Sequence, residues 1–233
     1  MNNFTQLLLA WWDDNKRNLP WKDTHDAYII WLSEIILQQT RVEQGLPYFE
    51  RLTTAFPTVT HLANAPEDQL MHLWEGLGYY SRARNLHATA KHIAFTLDGV
   101  FPSTYETIMQ LKGIGPYTAA AIASFAFGLP HAVVDGNVFR VLARYFNINT
   151  PIDSTEGKKQ FTELANRLLP PNQAANYNQA LMDFGALQCK PANPLCHTCP
   201  LQPYCAAYKH QTVDLLPIKA KKMARKTRFF NYL

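Results

Sequence analysis

The stretch LKGIGPYTAAAIAS, residues 111–124, places two glycines two residues apart in an apolar segment and follows them with proline, tyrosine and alanines. Gly113 and Gly115 permit positive φ and a close approach to the backbone, and Pro116 suits the first turn of a helix. The stretch therefore predicts a helix, a glycine hairpin and a second helix. Free amides at the start of that second helix, together with its dipole, can bind a phosphate of DNA without a lysine. A tight turn between packed helices is the simpler interpretation.

Helical patterns extend from this hairpin towards both ends of the chain. Apolar residues near the N-terminus recur at helical spacing and form one face, and they are Phe4, Leu7, Leu8, Trp11 and Trp12. Asp26 and Asp135 each precede a helical segment and are expected to cap it. No segment alternates convincingly between apolar and polar residues, as a half-buried strand would. We therefore expect an all-α protein of about ten helices.

Length and composition limit the class of protein. The 233 residues, of which 47% are hydrophobic, suffice for one large domain or two small ones. No apolar run reaches the length of a membrane span, and the N-terminus MNNFTQLLLAWWDD lacks the basic region and cleavage site of a signal peptide. The sequence thus predicts a cytoplasmic protein with no secretion signal and no membrane contact, associated with the nucleoid if it is bacterial.

The net charge of +4 is unevenly distributed. Residues 209–233 hold seven basic side chains and one acidic side chain, which leaves 15 basic and 17 acidic side chains in residues 1–208. A nucleic-acid contact in the body of the protein would therefore depend on local groups rather than on a general positive field. We interpret residues 209–233 as a basic linker and the start of a further C-terminal domain, with TRFFNYL (227–233) as the beginning of a strand.

Two carboxylates stand out for their surroundings. On a helix, Glu34 has Ile30, Trp31 and Leu37 among its neighbours, and their apolar surface should raise its pKa towards the range of a general acid. A half-buried glutamate paired with an arginine is the plain alternative. Asp135 is expected at a helix start, where the dipole keeps a carboxylate ionised. One protonated and one ionised acid is the pair that breaks glycosidic bonds, although the sequence does not place the two together.

Cys189, Cys196, Cys199 and Cys205 form the pattern C-x6-C-x2-C-x5-C, which contains all four cysteines of the chain. Clustered cysteines in an intracellular chain indicate a metal site rather than disulfides. Most structural zinc sites use two CxxC pairs, and only one is present here. Four thiolates in one compact loop favour a [4Fe–4S] cluster, with zinc as the alternative.

Taken together, these motifs resemble a known family. The cysteine pattern, the hairpin LKGIGPYTA and the segment VVDGNVFRVLAR are similar to those of the endonuclease III superfamily of DNA glycosylases. Within it, LPWKDTHDAYIIWLSEIILQQTRV and WEGLGYYSRARNLH resemble adenine DNA glycosylases of the MutY type. The resemblance covers roughly residues 5–206, and several motifs agree with it in order and spacing.

The resemblance implies a DNA repair glycosylase that removes adenine mispaired with 8-oxoguanine or guanine in double-stranded DNA, after the base has flipped out of the helix. It implies a monomer with a [4Fe–4S] cluster and two helical lobes. Residues 22–128 would form a six-helix lobe with the hairpin, and residues 1–21 with 129–208 a cluster lobe. DNA would bind across the cleft between these lobes.

The resemblance also implies roles for individual residues. Glu34 would protonate adenine, Asp135 would stabilise the sugar cation, and Asn137 would be its polar partner. The remaining matches are the pocket residues Arg17, Trp21, Leu37 and Gln179, the wedge residues Gln39 and Tyr79, the phosphate-binding Gly113 and Gly115, and the cluster ligands Cys189, Cys196, Cys199 and Cys205. For Trp21 and Leu37, plain core packing remains an alternative.

Tyr117 stands where a lysine would act as nucleophile in a glycosylase that also cuts the strand. A phenol forms no Schiff base, but it can donate a hydrogen bond to a carboxylate, and we expect Asp135 to be its partner. Pro116 replaces an arginine common in the hairpin, and the family's C-terminal domain, which helps recognise 8-oxoguanine, is not in this chain. The alternatives are a bifunctional glycosylase and lyase for oxidised pyrimidines, and a non-catalytic iron–sulfur DNA-binding module. Two carboxylates facing anionic DNA argue against the second.

Overall fold

The structure is a computed structural model that describes residues 3–220, and these contain helices but no strand. The prediction of an all-α protein is confirmed for this part of the chain. Three of the helices are very short, which brings the number above the ten expected. The helices are α1 (Asn3–Asn15), α2 (Ala27–Leu37), α3 (Val42–Ala55), α4 (Val59–Asn64), α5 (Glu67–Trp74), α6 (Ser81–Thr96), α7 (Tyr105–Met109), α8 (Pro116–Phe127), α9 (Gly136–Phe146), α10 (Thr155–Leu168), α11 (Ala174–Leu187) and α12 (Ala206–Lys209).

None of these helices is long and apolar enough to cross a bilayer. The strand expected at residues 227–233 lies outside the described residues.

Buried side chains form two separate apolar clusters. The first draws on α2 to α8, runs from Leu19 to Val133, and has Trp31 and Trp74 among its fully buried residues. The second combines α1 with the chain from Ala132 to Leu216. Helix α11 packs against α1 and α9 within the second cluster and also touches α8 of the first. The junction of the two clusters is therefore formed by α8, α9 and α11.

Asn178 on α11 fixes the connection between the clusters. Its side-chain amide donates to Ser124 Oγ and to the carbonyl of His131, both at 2.8 Å, and its oxygen accepts from the amide of Val133 at 3.1 Å. The side chain is 1% exposed, so these hydrogen bonds are protected from competition with water. They hold the segment that follows α8 and leads directly to Asp135.

The two glycines of the hairpin serve different purposes. Gly113 has φ +80, and a Cβ there would lie 2.8 Å from Cβ of Asn85. Gly115 has φ −99 and ψ 177, which is extended backbone, and a Cβ there would meet nothing within 4 Å. The positive φ that glycine permits is therefore used at Gly113 and not at Gly115. Gly115 is the residue before α8, and the absence of a side chain leaves the start of that helix open.

This contrast predicts different effects of two alanine substitutions. Gly113→Ala should destabilise the protein by at least about 1–2 kcal/mol, because a left-handed backbone is unfavourable for alanine and Asn85 must also move. Gly115→Ala should change the free energy of unfolding by less than about 1 kcal/mol. Urea denaturation of both variants measures the difference. Equal losses would show that the backbone conformation of Gly113 is not what the fold requires.

Candidate active site

A cavity of about 550 Å³ lies at the junction of the two clusters. Its walls come from α2, α8, α9, α11 and the segment that precedes α2. It brings together nine of the residues singled out in the sequence, which are Arg17, Trp21, Glu34, Leu37, Gln39, Tyr117, Asp135, Asn137 and Gln179. Tyr79, Gly113 and Gly115 do not line it, and the cysteines line a separate cavity.

Glu34 is the acid on the α2 side of the cavity. Its side chain is 8% exposed, and this burial raises its pKa to about 7. A hydrogen bond from Tyr117 lowers the pKa, and the neighbouring charge of Asp135 raises it. Glu34 therefore has substantial populations of both protonation states near neutral pH, which is the condition for an effective general acid.

Tyr117 interacts with both carboxyls: Glu34 acts on its hydroxyl through hydrogen bonding and charge, and Asp135 through charge, so a role for Asp135 as its hydrogen-bond partner stays a prediction. Asp135 accepts hydrogen bonds from the amide of Val138 at 2.8 Å and from the side chain of Asn137 at 2.7 Å. Burial, followed by the charges of Glu34 and Asp135, raises the pKa of Tyr117 well above its usual value. The phenol is thus a hydrogen-bond donor at any pH at which the protein would work.

Asp135 caps α9, as its position in the sequence predicts. Burial nevertheless raises its pKa, while the donors Val138 and Asn137 and the charge of Arg140 lower it. The expectation that the helix start alone keeps this group ionised therefore needs correction. Glu34 is buried and the neighbouring Asp135 is half-buried, so ionisation of both at once is disfavoured. We place the proton on Glu34, because only Asp135 accepts N–H donors that stabilise an anion.

Arg140 contacts residues of the candidate site, and the sequence analysis did not identify it. Its Nη2 donates to Oδ1 of Asn137 at 2.8 Å and to the carbonyl of Gly185 at 2.7 Å. Its Nε donates to the carbonyl of Cys189 at 2.8 Å. One side chain therefore joins the partner of Asp135 to the first cysteine. The three-residue spacing of Asn137 and Arg140 on one helix is the only sequence signal for this contact.

Asp183 on α11 holds the wall of the cavity that contains Arg17 and Lys22. The sequence analysis did not identify this residue either. The carboxylate is fully buried and accepts from Trp12, Arg17 and Lys22. Burial would raise its pKa, but Lys22 and the other donors hold the pKa below its usual value. These contacts span more than 160 residues of sequence, so no local pattern shows them. They attach the end of α1 and two cationic side chains to the rim of the cavity.

Gln39 and Tyr79 occupy the surface beside the cavity. Both have a left-handed backbone, with φ +58 and φ +48. Both side chains are exposed, Tyr79 by 64%, and only Gln39 reaches the cavity rim. An amide and an aromatic ring are thus presented to solvent on two neighbouring loops.

The four cysteines line one small cavity together with Arg144, which donates to Sγ of Cys189 at 3.4 Å. Burial and the neighbouring thiols raise the pKa of Cys199 to about 12, although the amide of Leu201 lowers it. Within residues 3–220, the thiols are not gathered closely enough to hold a single metal ion. Their common cavity and all-sulfur donor set fit a metal–sulfur centre in chemical type.

A model of the HhH-GPD superfamily of base excision DNA repair proteins matches residues 32–171 of this chain. The chain belongs to this superfamily. The match begins two residues before Glu34 and includes the glycine hairpin and Asp135, so the cavity is built largely from the region that the family shares.

Relatives from bacteria and from animals are named adenine DNA glycosylase. The chain is 40% identical to the adenine DNA glycosylase of Buchnera aphidicola subsp. Baizongia pistaciae, over 94% of this chain and 62% of the relative. It is 44% identical to the human adenine DNA glycosylase, over 88% of this chain and 39% of the relative. The chain thus spans about three fifths of the length of the bacterial relative.

Solved structures share the HhH-GPD fold. A thermostable thymine-DNA glycosylase superimposes with a TM-score of 0.82 at 29% identity, over 89% of this chain and 95% of that one. Endonuclease III, in a trapped covalent intermediate with DNA, superimposes with a TM-score of 0.76 at 21% identity, again over 89% of this chain and 95% of that one. The arrangement of helices is therefore that of DNA glycosylases of this superfamily.

The raised pKa of Glu34 predicts a pH-dependent gain in stability for Glu34→Gln. Between the ordinary pKa of 4.5 and the folded value of about 7, the unfolded chain loses a proton that the folded protein keeps. The wild type therefore loses stability as the pH rises through this window. The free energy of unfolding of Glu34→Gln should equal that of the wild type below this window and exceed it by about 3 kcal/mol above the window.

Urea denaturation at several pH values measures this gain. Glu43→Gln, at an exposed position of α3, is measured alongside as the control. A difference for Glu34→Gln that does not vary with pH would contradict the burial of an ionisable carboxyl at this position.

Proposed function

We propose that this protein is a DNA glycosylase that removes adenine mispaired with 8-oxoguanine or guanine by hydrolysis of the N-glycosidic bond. The observation that carries the proposal is the meeting of Glu34 and Asp135, from two different apolar clusters, in one cavity. The environments differ in hydrogen bonding, so that one carboxyl keeps a proton and the other is the better anion. The shared name of the curated relatives supports adenine as the base.

Glu34 is the proton donor in this proposal. Loss of adenine as an anion is unfavourable, and protonation of a ring nitrogen makes the leaving group neutral. Tyr117, whose hydroxyl interacts with Glu34, is the residue that would orient the carboxyl in the cavity. Because the pKa of Glu34 is raised to about 7, the donor is present in its protonated form at neutral pH.

Asp135 is the anion that faces the sugar. As the glycosidic bond breaks, positive charge develops on the sugar carbon, and a carboxylate that cannot rotate stabilises it without reorganisation. Asn137 and the amide of Val138 hold the carboxylate in place, and Arg140 holds Asn137. A water molecule then completes the hydrolysis and leaves an intact abasic site.

The cavity is of a size that accepts a flipped nucleobase, since ligand pockets of about 300–1,000 Å³ take small organic ligands. Its lining alternates apolar groups such as Trp21 and Leu37 with the polar groups of Arg17 and Gln179. Flipping costs a few kcal/mol and costs least at a mispair, which favours mispaired adenine over adenine paired with thymine.

Duplex DNA is the partner in this proposal, held by local groups because residues 1–208 carry no net positive charge. The open start of α8 at Gly115 is available to a backbone phosphate. The exposed Gln39 and Tyr79 can stack beside the base opposite the vacated position.

Two residues of the cavity, Tyr117 and Lys22, disfavour cleavage of the DNA strand. Tyr117 stands in the cavity where a lysine nucleophile would be needed. Lys22 is the lysine that lines the cavity in the described part of the chain, and it is committed to the buried carboxylate of Asp183. We therefore propose a monofunctional enzyme that acts with water.

We also infer that Cys189, Cys196, Cys199 and Cys205 hold a [4Fe–4S] cluster. The donor set contains sulfur only, and the cysteines share one cavity. When bound, such a cluster supplies a rigid cross-link between the four cysteines. Arg144 holds the same loop through the carbonyls of Lys190 and Pro191, and Arg140 connects it to the active-site cavity.

Glu34→Gln tests the proposed chemistry. The substitution keeps the shape of the side chain but removes its proton, so excision of adenine should fall by about 10²–10⁴ while DNA binding is retained. Single-turnover excision from a duplex with an adenine:8-oxoguanine mispair measures the rate, with Glu43→Gln as the control. The wild type should leave the abasic strand uncut, and borohydride should trap no covalent adduct.

Excision by Glu34→Gln within about tenfold of the wild-type rate would remove Glu34 from the role of acid. Efficient trapping by the wild type would instead support a lyase, and absence of excision by the wild type would support a binding module.

The purified protein should contain about four iron atoms per chain and no stoichiometric zinc. Cys199→Ser should lose the iron and the associated visible absorbance, whereas the neighbouring Thr198→Ser should keep both. Elemental analysis measures the metal content. One zinc atom per chain and no iron would contradict the cluster.

A further inference from the structure

A buried guanidinium joins two surface loops near the cavity. Arg82 lies in the first turn of α6 and is 8% exposed. Its Nη1 lies 2.7–2.9 Å from three carbonyl oxygens at the C-terminal end of α2, those of Ile35, Ile36 and Gln38. These are groups that a helix end leaves without intrahelical partners. A cation also complements the negative end of the helix dipole.

The other arm of the same guanidinium reaches the loop between α5 and α6. Nη2 lies 3.3 Å from the carbonyl oxygens of Leu77 and Gly78. The guanidinium carbon is also 5.3 Å from the ring centre of Trp74 and 5.6 Å from that of Tyr79. Arg82 therefore contacts the backbone of both loops and stacks against the aromatic side chain that one of them presents.

Each loop carries an exposed residue directly after the contact with Arg82. Gln39 follows Gln38, and Tyr79 follows Gly78. Both have positive φ, a conformation that costs free energy in a residue other than glycine and that the surroundings must therefore impose. Among its described contacts, Arg82 donates to backbone carbonyls directly before Gln39 and directly before Tyr79.

We propose that Arg82 is a positioning residue that fixes the separation of Gln39 and Tyr79, so that the two enter the base stack as one unit when adenine leaves it. This rests on the proposed function. The role requires the planar fork of arginine, because one nitrogen serves the end of α2 and the other serves the loop before α6. Lysine has a single nitrogen and cannot span both sets of carbonyls.

Arg82→Lys is the informative variant, because it keeps a positive charge and removes the fork. Arg84→Lys is the matched control, since Arg84 lies two residues away on the same helix and its side chain is 64% exposed. Two substrates separate the steps: a closed duplex with an adenine:8-oxoguanine mispair, and a duplex whose adenine lies in a bubble of unpaired bases. The wedge is needed only for the closed duplex.

In single-turnover excision, Arg82→Lys should be slower by about 10²-fold on the closed duplex and within about threefold of the wild type on the bubble. Arg84→Lys should match the wild type on both substrates. Equal losses on the two substrates would overturn the proposal, because they would indicate general damage to the active site. No loss on the closed duplex would overturn it as well.

Hydrogen exchange of the free protein tests the same inference without catalysis. The amide of Thr40 is bonded to the carbonyl of Leu37, and the amide of Leu77 to that of Trp74. Both should exchange faster in Arg82→Lys, whereas the amide of Ala119 in α8 should not change. Faster exchange at all three sites, or at only one of the two loops, would overturn the role of Arg82. If the wild type excises adenine from neither substrate, the proposed function fails, and the exchange result still decides whether Arg82 holds both loops.

Discussion

Two carboxyl groups, the buried Glu34 and the half-buried Asp135, share one cavity, and much of the surrounding structure follows from the cost of that arrangement. An ionised carboxylate in such a place needs donors, and a second one beside it needs a proton. The protein meets these needs unequally. Asp135 accepts hydrogen bonds from the amide of Val138, in the first turn of α9, and from the side chain of Asn137. For Glu34, the interaction with the hydroxyl of Tyr117 lowers the pKa, but burial outweighs it. This inequality gives the two acids different protonation states, and the proposed chemistry depends on that difference.

Buried polar side chains also hold the walls of the cavity together. Asn178 binds the segment before Asp135, Asp183 binds the segment before α2, and Arg140 ties Asn137 to the cysteine loop. In each case a donor or acceptor that is inaccessible to water has a partner on another part of the chain. Polar contacts of this kind are directional, so they define the relative position of the two apolar clusters more narrowly than apolar packing alone. The proposed catalytic pair depends on that position, because Glu34 lies on α2, beside the first cluster, and Asp135 caps α9 of the second.

Local patterns in the sequence were sufficient for the all-α class, for the caps Asp26 and Asp135, and for the surroundings of Glu34. These features depend on residues within one or two helical turns of each other. The sequence could not show which hydrogen-bond partners a side chain takes when the fold brings several distant residues together. Tyr117 interacts with two carboxyls, Glu34 and Asp135, and the sequence gives no way to rank them. Gly115 is a residue type common in turns, but its backbone is extended. The contacts of Asp183 and Arg82 cross long stretches of chain, and their residue types carry no signal of burial.

The second apolar cluster takes its residues from α1 and from the chain after Ala132, whereas the first is built from the continuous segment between them. During synthesis, the first cluster can therefore be completed while the ribosome is still adding α9 and α11. Helix α1 emerges before the first cluster, yet the partners of Phe4, Leu8 and Trp12 emerge after that cluster. Since domains generally fold as units as they leave the ribosome, we expect α1 to reach its place only after the first cluster has formed. Until then the apolar face of α1 is exposed to solvent and is available for binding by a chaperone.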